Sequence, residues 1–322
     1  MKNKILITGA DGFIGSHLSE ELVLRNYNVK ALAQYNSFNN NGWLDHCKKD
    51  IKSSLEIVSG DIRDSHFIRT IMQDCSSVIH LASLIAIPYS YYSPQSYIDT
   101  NINGTLNILN AGRDFNVERI IHTSTSEVYG SAKYIPIDEE HPLVGQSPYS
   151  ASKIGADQLA ISFYKSYNLP LNIIRPFNTF GPRQSARAVI PTTITQIASG
   201  IKCINLGSLS PTRDFSYIDD TVSGFISSLN LKKFGETINL GSGFEISIEK
   251  TVQIISYLMN AEITVKQDKN RIRPKNSEVD RLFSNNSKAK KLLSWKPDFS
   301  GEKGFKEGLR KTIDWFQDKE NL

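Results

Sequence analysis

Tyr149 and Lys153 stand four residues apart in Tyr149-Ser150-Ala151-Ser152-Lys153, and an acid, Glu127, lies upstream in Ser124-Thr125-Ser126-Glu127-Val128-Tyr129-Gly130. On a helix, positions i and i+4 share a face, so Lys153 can hold its ammonium near the Tyr149 phenol. A positive neighbour favours the phenolate and lowers its pKa, giving a base that takes a proton from a hydroxyl near neutral pH. Hydride transfer needs only that pair; Glu127 adds a second proton-transfer group. A Tyr and a Lys at this spacing are more often an ordinary amphipathic helix, and a Glu after a strand is more often a surface residue. Their joint position, next to a Thr/Ser strand end, favours the chemical reading.

The elements that must position these groups begin at the N-terminus. Lys4-Ile5-Leu6-Ile7-Thr8 has the composition of a buried strand and runs into Gly9-Ala10-Asp11-Gly12-Phe13-Ile14-Gly15, then into a helical stretch ending near Asn26. Strand, glycine triplet and helix in that order let backbone amides approach a pyrophosphate at a helix N-terminus, which a plain tight turn does not require. Further strand-like runs follow at Val29-Lys30-Ala31-Leu32, Leu55-Glu56-Ile57-Val58, Ser77-Val78-Ile79-His80, Arg119-Ile120-Ile121-His122 and Leu171-Asn172-Ile173-Ile174. Alternation with helical patterns predicts a parallel sheet covered by helices, with ligands at the carboxyl ends of its strands. Beyond Phe177 the pattern turns irregular and rich in Pro and Gly, so a second lobe is expected there.

Composition narrows the classes. A chain of 322 residues with 39% hydrophobic content can bury a large core and exceeds the usual single-domain size. The net charge of +4 is modest and its Lys and Arg are scattered, so no nucleic-acid surface is expected. Cys47, Cys75 and Cys203 lie far apart without metal-ligand spacing, which argues against a bound metal and against a disulfide framework. No stretch approaches the ~20 apolar residues of a membrane span, and the N-terminal apolar run is too short for a signal peptide. A cytoplasmic protein without membrane partners is the expectation.

The GxxGxxG spacing, joined by Gly60-Asp61-Ile62, His80-Leu81-Ala82, Asn101-Ile102-Asn103-Gly104-Thr105, Arg175-Pro176-Phe177-Asn178, Gly181-Pro182-Arg183 and Arg213-Asp214-Phe215-Ser216-Tyr217-Ile218-Asp219-Asp220, resembles the extended short-chain dehydrogenase/reductase family. The likeness is to its nucleotide-sugar-modifying branch and runs from Lys4 to about Pro297. It implies an α/β fold: a Rossmann-type doubly wound parallel sheet with a smaller mixed α/β C-terminal substrate lobe. The dinucleotide-binding domain would span 1–177, with segments near 215–240 returning to it, and 178–322 would mainly bind a nucleotide-diphosphate sugar. Gly9, Gly12, Phe13, Ile14, Gly15, Gln34, Asp61, Ile62, Leu81 and Ala82, with Tyr149 and Lys153, would hold the dinucleotide. Asp61 would meet the adenine or, equally, serve as a turn or capping Asp. An NAD enzyme carries an acid at the end of its second strand; here Ala33-Gln34-Tyr35-Asn36-Ser37 has none, which tips the expectation from NAD toward NADP.

The resemblance also suggests a reaction. Epimerases of this branch usually have a small residue where Glu127 stands, whereas Ser-Thr-Ser-Glu matches the GDP-mannose 4,6-dehydratases. In that reading Tyr149 and Lys153 oxidise C4, Thr125 orients the C4 oxygen, and Glu127 removes the C5 proton. Ser126 is either an acid for the C6 leaving group or a simple turn cap. UDP-glucuronate decarboxylases also carry Ser-Thr-Ser-Glu-Val-Tyr-Gly, but have a different, Arg-containing segment before their Tyr. The run from Arg175 to Thr192 resembles the dehydratase of bacterial legionaminic acid synthesis, which acts on GDP-N-acetylglucosamine. Asn178, Arg187, Arg213, Arg273 and Glu278 would contact the substrate, the guanidinium forks suiting a diphosphate. Relatives pair the helical segments Gln95–Phe115 and Tyr149–Tyr167 across a two-fold axis, so a homodimer is expected. A cofactor-binding regulator without catalysis is disfavoured because Tyr149 and Lys153 are both present.

Overall fold

Runs of aliphatic residues buried on both faces make the centre of the molecule, which is seen here in a computed structural model describing residues 4–268 and 271–318. Strands β1 (Lys4–Thr8), β2 (Asn28–Gln34), β3 (Leu55–Gly60), β4 (Ser77–His80), β5 (Arg119–Thr123) and β6 (Leu171–Pro176) contain all the strand runs expected from sequence. Along β1, Ile5 and Ile7 enter one apolar core with Leu18 and Leu22, while Leu6 enters another with Val78, Ile108 and Phe163. Two-sided burial is what a parallel sheet between helix layers requires.

Three further strands form a second sheet, in the order β11 (Glu245–Ser247), β9 (Thr212–Tyr217), β7 (Asn178–Phe180). A two-stranded sheet joins β8 (Cys203–Leu206) to β12 (Thr264–Gln267), and β10 (Thr237–Leu240) returns to the main sheet beside β6. The main sheet runs β10-β6-β5-β4-β1-β2-β3, all parallel. Its order reverses between β1 and β4, which opens a crevice outside their carboxyl ends. The helix Ile218–Ser228 packs against the first helix, Phe13–Leu24. The Arg183 guanidinium forks onto Glu20 of that first helix at 2.8 and 3.0 Å, tying the segment after β7 to the glycine turn's helix.

One predicted helix has a different form. Gln95–Phe115 is not a single amphipathic α-helix: Pro94–Tyr97 passes into a π segment, Ile98–Asn103, before Gly104–Asp114 resumes the α form. The wider π turn carries Asn101 inward. There its amide donates to the Leu84 carbonyl at 3.0 Å and to the Ser152 hydroxyl at 2.9 Å, while its carbonyl accepts the Leu84 amide at 2.8 Å.

Candidate active site

Steric limits fix the glycine turn. Gly9 has φ +67°, and a Cβ there would lie 2.9 Å from the Ala82 backbone; a Cβ on Gly15 would lie 2.0 Å from the Gly9 carbonyl oxygen. The helix Phe13–Leu24 starts at Gly12 without a side-chain cap, leaving its first-turn amides for an anion. Across the crevice, the Thr8 hydroxyl oxygen accepts from the Leu81 and Ala82 amides, each at 3.1 Å, and lies 2.8 Å from His80 Nδ1. Its proton therefore goes to Nδ1, so His80 carries its own proton on Nε2 and donates to Thr105 at 3.1 Å. Burial holds the His80 pKa well below the usual imidazole value, which suits this neutral form. These residues make a cradle that admits only glycine at positions 9 and 15, and it fits a dinucleotide phosphate.

Two of the expected cofactor residues have protein partners of their own. The Ile62 side chain lies in the core against Gly104, where a Cβ would come within 2.6 Å of it. Asp61 makes a turn, accepting the Arg63 amide at 2.8 Å, and the Arg63 guanidinium forks onto its carboxylate and lowers its pKa.

The helix Pro148–Tyr167 begins with a capping box between Ser147 and Ser150, which sets Tyr149 in its first turn. Tyr149 is buried, its ring edge-on to Tyr97 at 6.2 Å. Burial raises its pKa, the Thr125 hydroxyl draws it part of the way back, and the Glu127 charge raises it again. The expectation that Lys153 lowers it is not met in this state: the Lys153 ammonium donates to the Thr123 carbonyl at 2.6 Å. Burial brings Lys153 down to about 8. One turn further along the same face, buried Asp157 accepts from His122 (3.2 Å), Ser124 (2.7 Å) and Arg175 (2.9 Å). Arg175 in turn reaches the Tyr129 hydroxyl at 3.0 Å. Sequence reasoning missed Asp157, although its spacing, i+4 from Lys153 and i+8 from Tyr149, was there to read.

Thr125 caps the short helix Ser126–Tyr129 by accepting the Glu127 amide at 3.2 Å; Ser126 and Glu127 are both buried. Glu127 faces Arg273 at 3.7 Å, Arg273 lies 3.7 Å from Glu278, and Glu278 accepts from Arg213 at 3.3 Å. Four residues from three separate segments thus meet in one charged cluster. The buried Arg273 Nη1 and Asn178 Oδ1 have no hydrogen-bond partner among the described residues, a costly state that a polar ligand would relieve. Arg187 is exposed in the turn before the helix Val189–Ala198, near enough for its charge to act on the Tyr97 phenol. Gln146, which sequence reasoning passed over, accepts from the Ser131 amide and donates to the Asn276 and Glu278 carbonyls at 3.2 Å, joining the Glu127, Tyr149 and Glu278 segments. Among the described residues no His, Cys, Asp and Glu group has metal-site geometry, and no helix is long and apolar enough to cross a membrane.

This arrangement has relatives. A family model described as GDP-mannose 4,6 dehydratase matches residues 6–308. The chain is 33% identical to a UDP-glucuronate 4-epimerase of Thermodesulfobacterium geofontis, covering 98% of this chain and 96% of the relative. It is 30% identical to the human dTDP-D-glucose 4,6-dehydratase, covering 98% and 90%. The solved structure of a double mutant of the dTDP-glucose 4,6-dehydratase from Streptomyces venezuelae, with NAD and DAU bound, superimposes with TM-score 0.87 at 27% identity, covering 98% and 97%. With the family model spanning both the glycine turn and the Tyr149–Lys153 helix, the chain belongs to the GDP-mannose 4,6 dehydratase family, within the extended short-chain dehydrogenase/reductases, and is an enzyme.

Proposed function

We propose that the chain is a nucleotide-sugar 4,6-dehydratase, converting a nucleotide-diphosphate hexose to its 4-keto-6-deoxy derivative. The observation that carries this is the buried Glu127 carboxylate, close enough to Tyr149 for its charge to act on the phenol and facing the cleft beside Arg273. An exchange of configuration at C4 needs no such group. A nicotinamide dinucleotide held by the glycine cradle at Gly9, Gly12 and Gly15 would supply a reversible hydride acceptor beside the sugar. Tyr149 takes the C4 hydroxyl proton as the phenolate, a form that the Lys153 ammonium would stabilise by turning from the Thr123 carbonyl toward the ring, and Thr125 orients that oxygen. The C4 ketone acidifies C5, Glu127 takes the C5 proton, and hydroxide leaves C6 with a proton from Glu127 or Ser126. As hydride returns to C6 a proton returns to C5, so the two protons removed, from the C4 hydroxyl and from C5, equal the two delivered, to the leaving hydroxide and to C5; hydride balance is zero and one water is lost. Arg213, Arg273, Arg187, Asn178 and Glu278 are assigned to the nucleotide sugar, residues 178–322 forming most of its lobe.

GDP-N-acetylglucosamine is the first substrate to offer, on the likeness of the run Arg175–Thr192. dTDP-glucose and UDP-linked hexoses belong beside it, since the relatives above are named for dTDP and UDP sugars. Mass loss of one water with a 4-keto-6-deoxy NMR signature is the expected result. An unchanged mass with inverted C4 would favour the second reading, a 4-epimerase, which the name of the 33% identical relative supports. Carbon dioxide released from UDP-glucuronate would favour a decarboxylase.

A further inference from the structure

The second strand ends in Ala33-Gln34, without the acid that meets a dinucleotide's adenosine ribose in NAD enzymes. A carboxylate reaches that place from another segment. Asp11, the residue before the second glycine of the turn, accepts a hydrogen bond from the Gln34 amide at 3.2 Å, which seats its carboxylate against the carboxyl end of β2. The loop after β2 folds back and clamps it. The Asp11 carbonyl accepts the Trp43 amide at 3.0 Å, and Gly42, at φ +56°, comes so close that a Cβ there would lie 2.6 Å from that carbonyl and 3.0 Å from the Asp11 Cβ. A cleft bounded by Asp11, Gly12, Asn40, Gly42, Trp43, Asp45 and His46 opens at this point, and among the described residues no Lys or Arg lines it. Two cations of the flanking segments are paired with acids: Lys52 with Asp45 at 2.8 Å, and Arg63 with Asp61, just past the Gly60 that pairs with Gln34.

We infer that Asp11 makes the cofactor site selective for NAD over NADP. Its fixed carboxylate accepts hydrogen bonds from free ribose hydroxyls, and the same charge repels a 2′-phosphate, which would meet no lysine or arginine among the described residues lining that cleft. The NADP expectation drawn from the missing acid at the end of β2 is thereby reversed, because the glycine turn supplies the acid. This rests on the reading of that turn as a dinucleotide site.

Equilibrium titration of the full chain, stripped of any co-purified dinucleotide, with NAD⁺ and with NADP⁺ gives the test, with calorimetry or Trp43 fluorescence as the signal. The unaltered protein is expected to bind NAD⁺ tighter by on the order of a hundredfold. Asp11→Asn can still accept the Gln34 amide but carries no charge, and should cut that ratio by roughly tenfold or more, mostly through tighter NADP⁺ binding. Arg63→Ser should leave the ratio unchanged. Equal or tighter binding of NADP⁺ by the unaltered protein, or an unchanged ratio in the folded Asp11→Asn variant, overturns the inference while leaving the dehydratase reading intact. Failure of both dinucleotides to bind overturns the two together.

Discussion

At the scale of single residues, the two acid–base centres are chemically separable. If Glu127 takes the C5 proton and Tyr149 acts only at C4, Glu127→Gln keeps the shape but loses the base. This variant is expected to develop reduced-nicotinamide absorbance on mixing with substrate, yet neither lose water nor take up deuterium at C5. Tyr149→Phe should do none of these. Normal dehydration by the Gln variant would make Glu127 structural. Lys153 gives a pH-dependent stability signature. Its folded pKa is brought down to about 8 from 10.5 by burial, so between these values the unfolded chain binds the proton that the folded chain has lost. Stability from this group therefore rises with pH across that window and is lowest below 8. Lys153→Met should be stabilised relative to the parent at pH 7, and the advantage should shrink toward pH 10; urea titrations at the two pH values measure it.

At the scale of elements, the helix Pro148–Tyr167 does more than carry Tyr149 and Lys153. Asp157 on the same face is buried among His122, Ser124 and Arg175; burial alone would raise its pKa, but these partners hold it below the usual carboxylate value. Asp157→Asn would leave Arg175 buried without its counter-charge. A loss of about 3–5 kcal/mol is expected, read as a lower thermal midpoint. The glycine turn behaves differently, because its limits are steric: Gly15→Ala drives a Cβ into the Gly9 carbonyl and should abolish dinucleotide binding. That contrast explains what the sequence could tell. The turn was legible because a local run of glycines between strand and helix has one steric meaning, and the six leading strands were legible from their apolar composition. The Asp157 network was not, since its members come from β5, β6 and one helix and meet only after the sheet forms. Nor was the π segment at Ile98–Asn103, whose composition differs little from α-helix. Asp11 was hidden in plain view: its role depends on a hydrogen bond to Gln34, 23 residues away.

At the scale of the whole molecule, the charged cleft is assembled from segments that a linear reading assigns to separate lobes. Glu127 comes from the short helix Ser126–Tyr129 after β5, Arg213 from β9, and Arg273 and Glu278 from the segment after β12. Gln146 joins two of these pieces, the turn at Ser131 that follows Glu127 and the Asn276–Glu278 segment, so a shift of one against the other would be felt at Glu127. The helical layer beside this cleft has an outward side: Ile98 is 43% exposed, and Ile85, Tyr89 and Tyr92 of the adjoining segment are also exposed. Apolar side chains in one neighbourhood are better covered than left in water, at roughly 25 cal/mol per Å² buried. Pairing of the Gln95–Phe115 and Tyr149–Tyr167 layers about a two-fold axis would cover them and brace the Tyr149 helix from outside. Light scattering should therefore give about twice the chain mass of 36.1 kDa at micromolar concentration. Ile98→Glu should shift the population to monomer without unfolding it, since the side chain already borders solvent. A parent protein that stays monomeric would leave this apolar face without a second copy to cover it and would remove the dimer from the account.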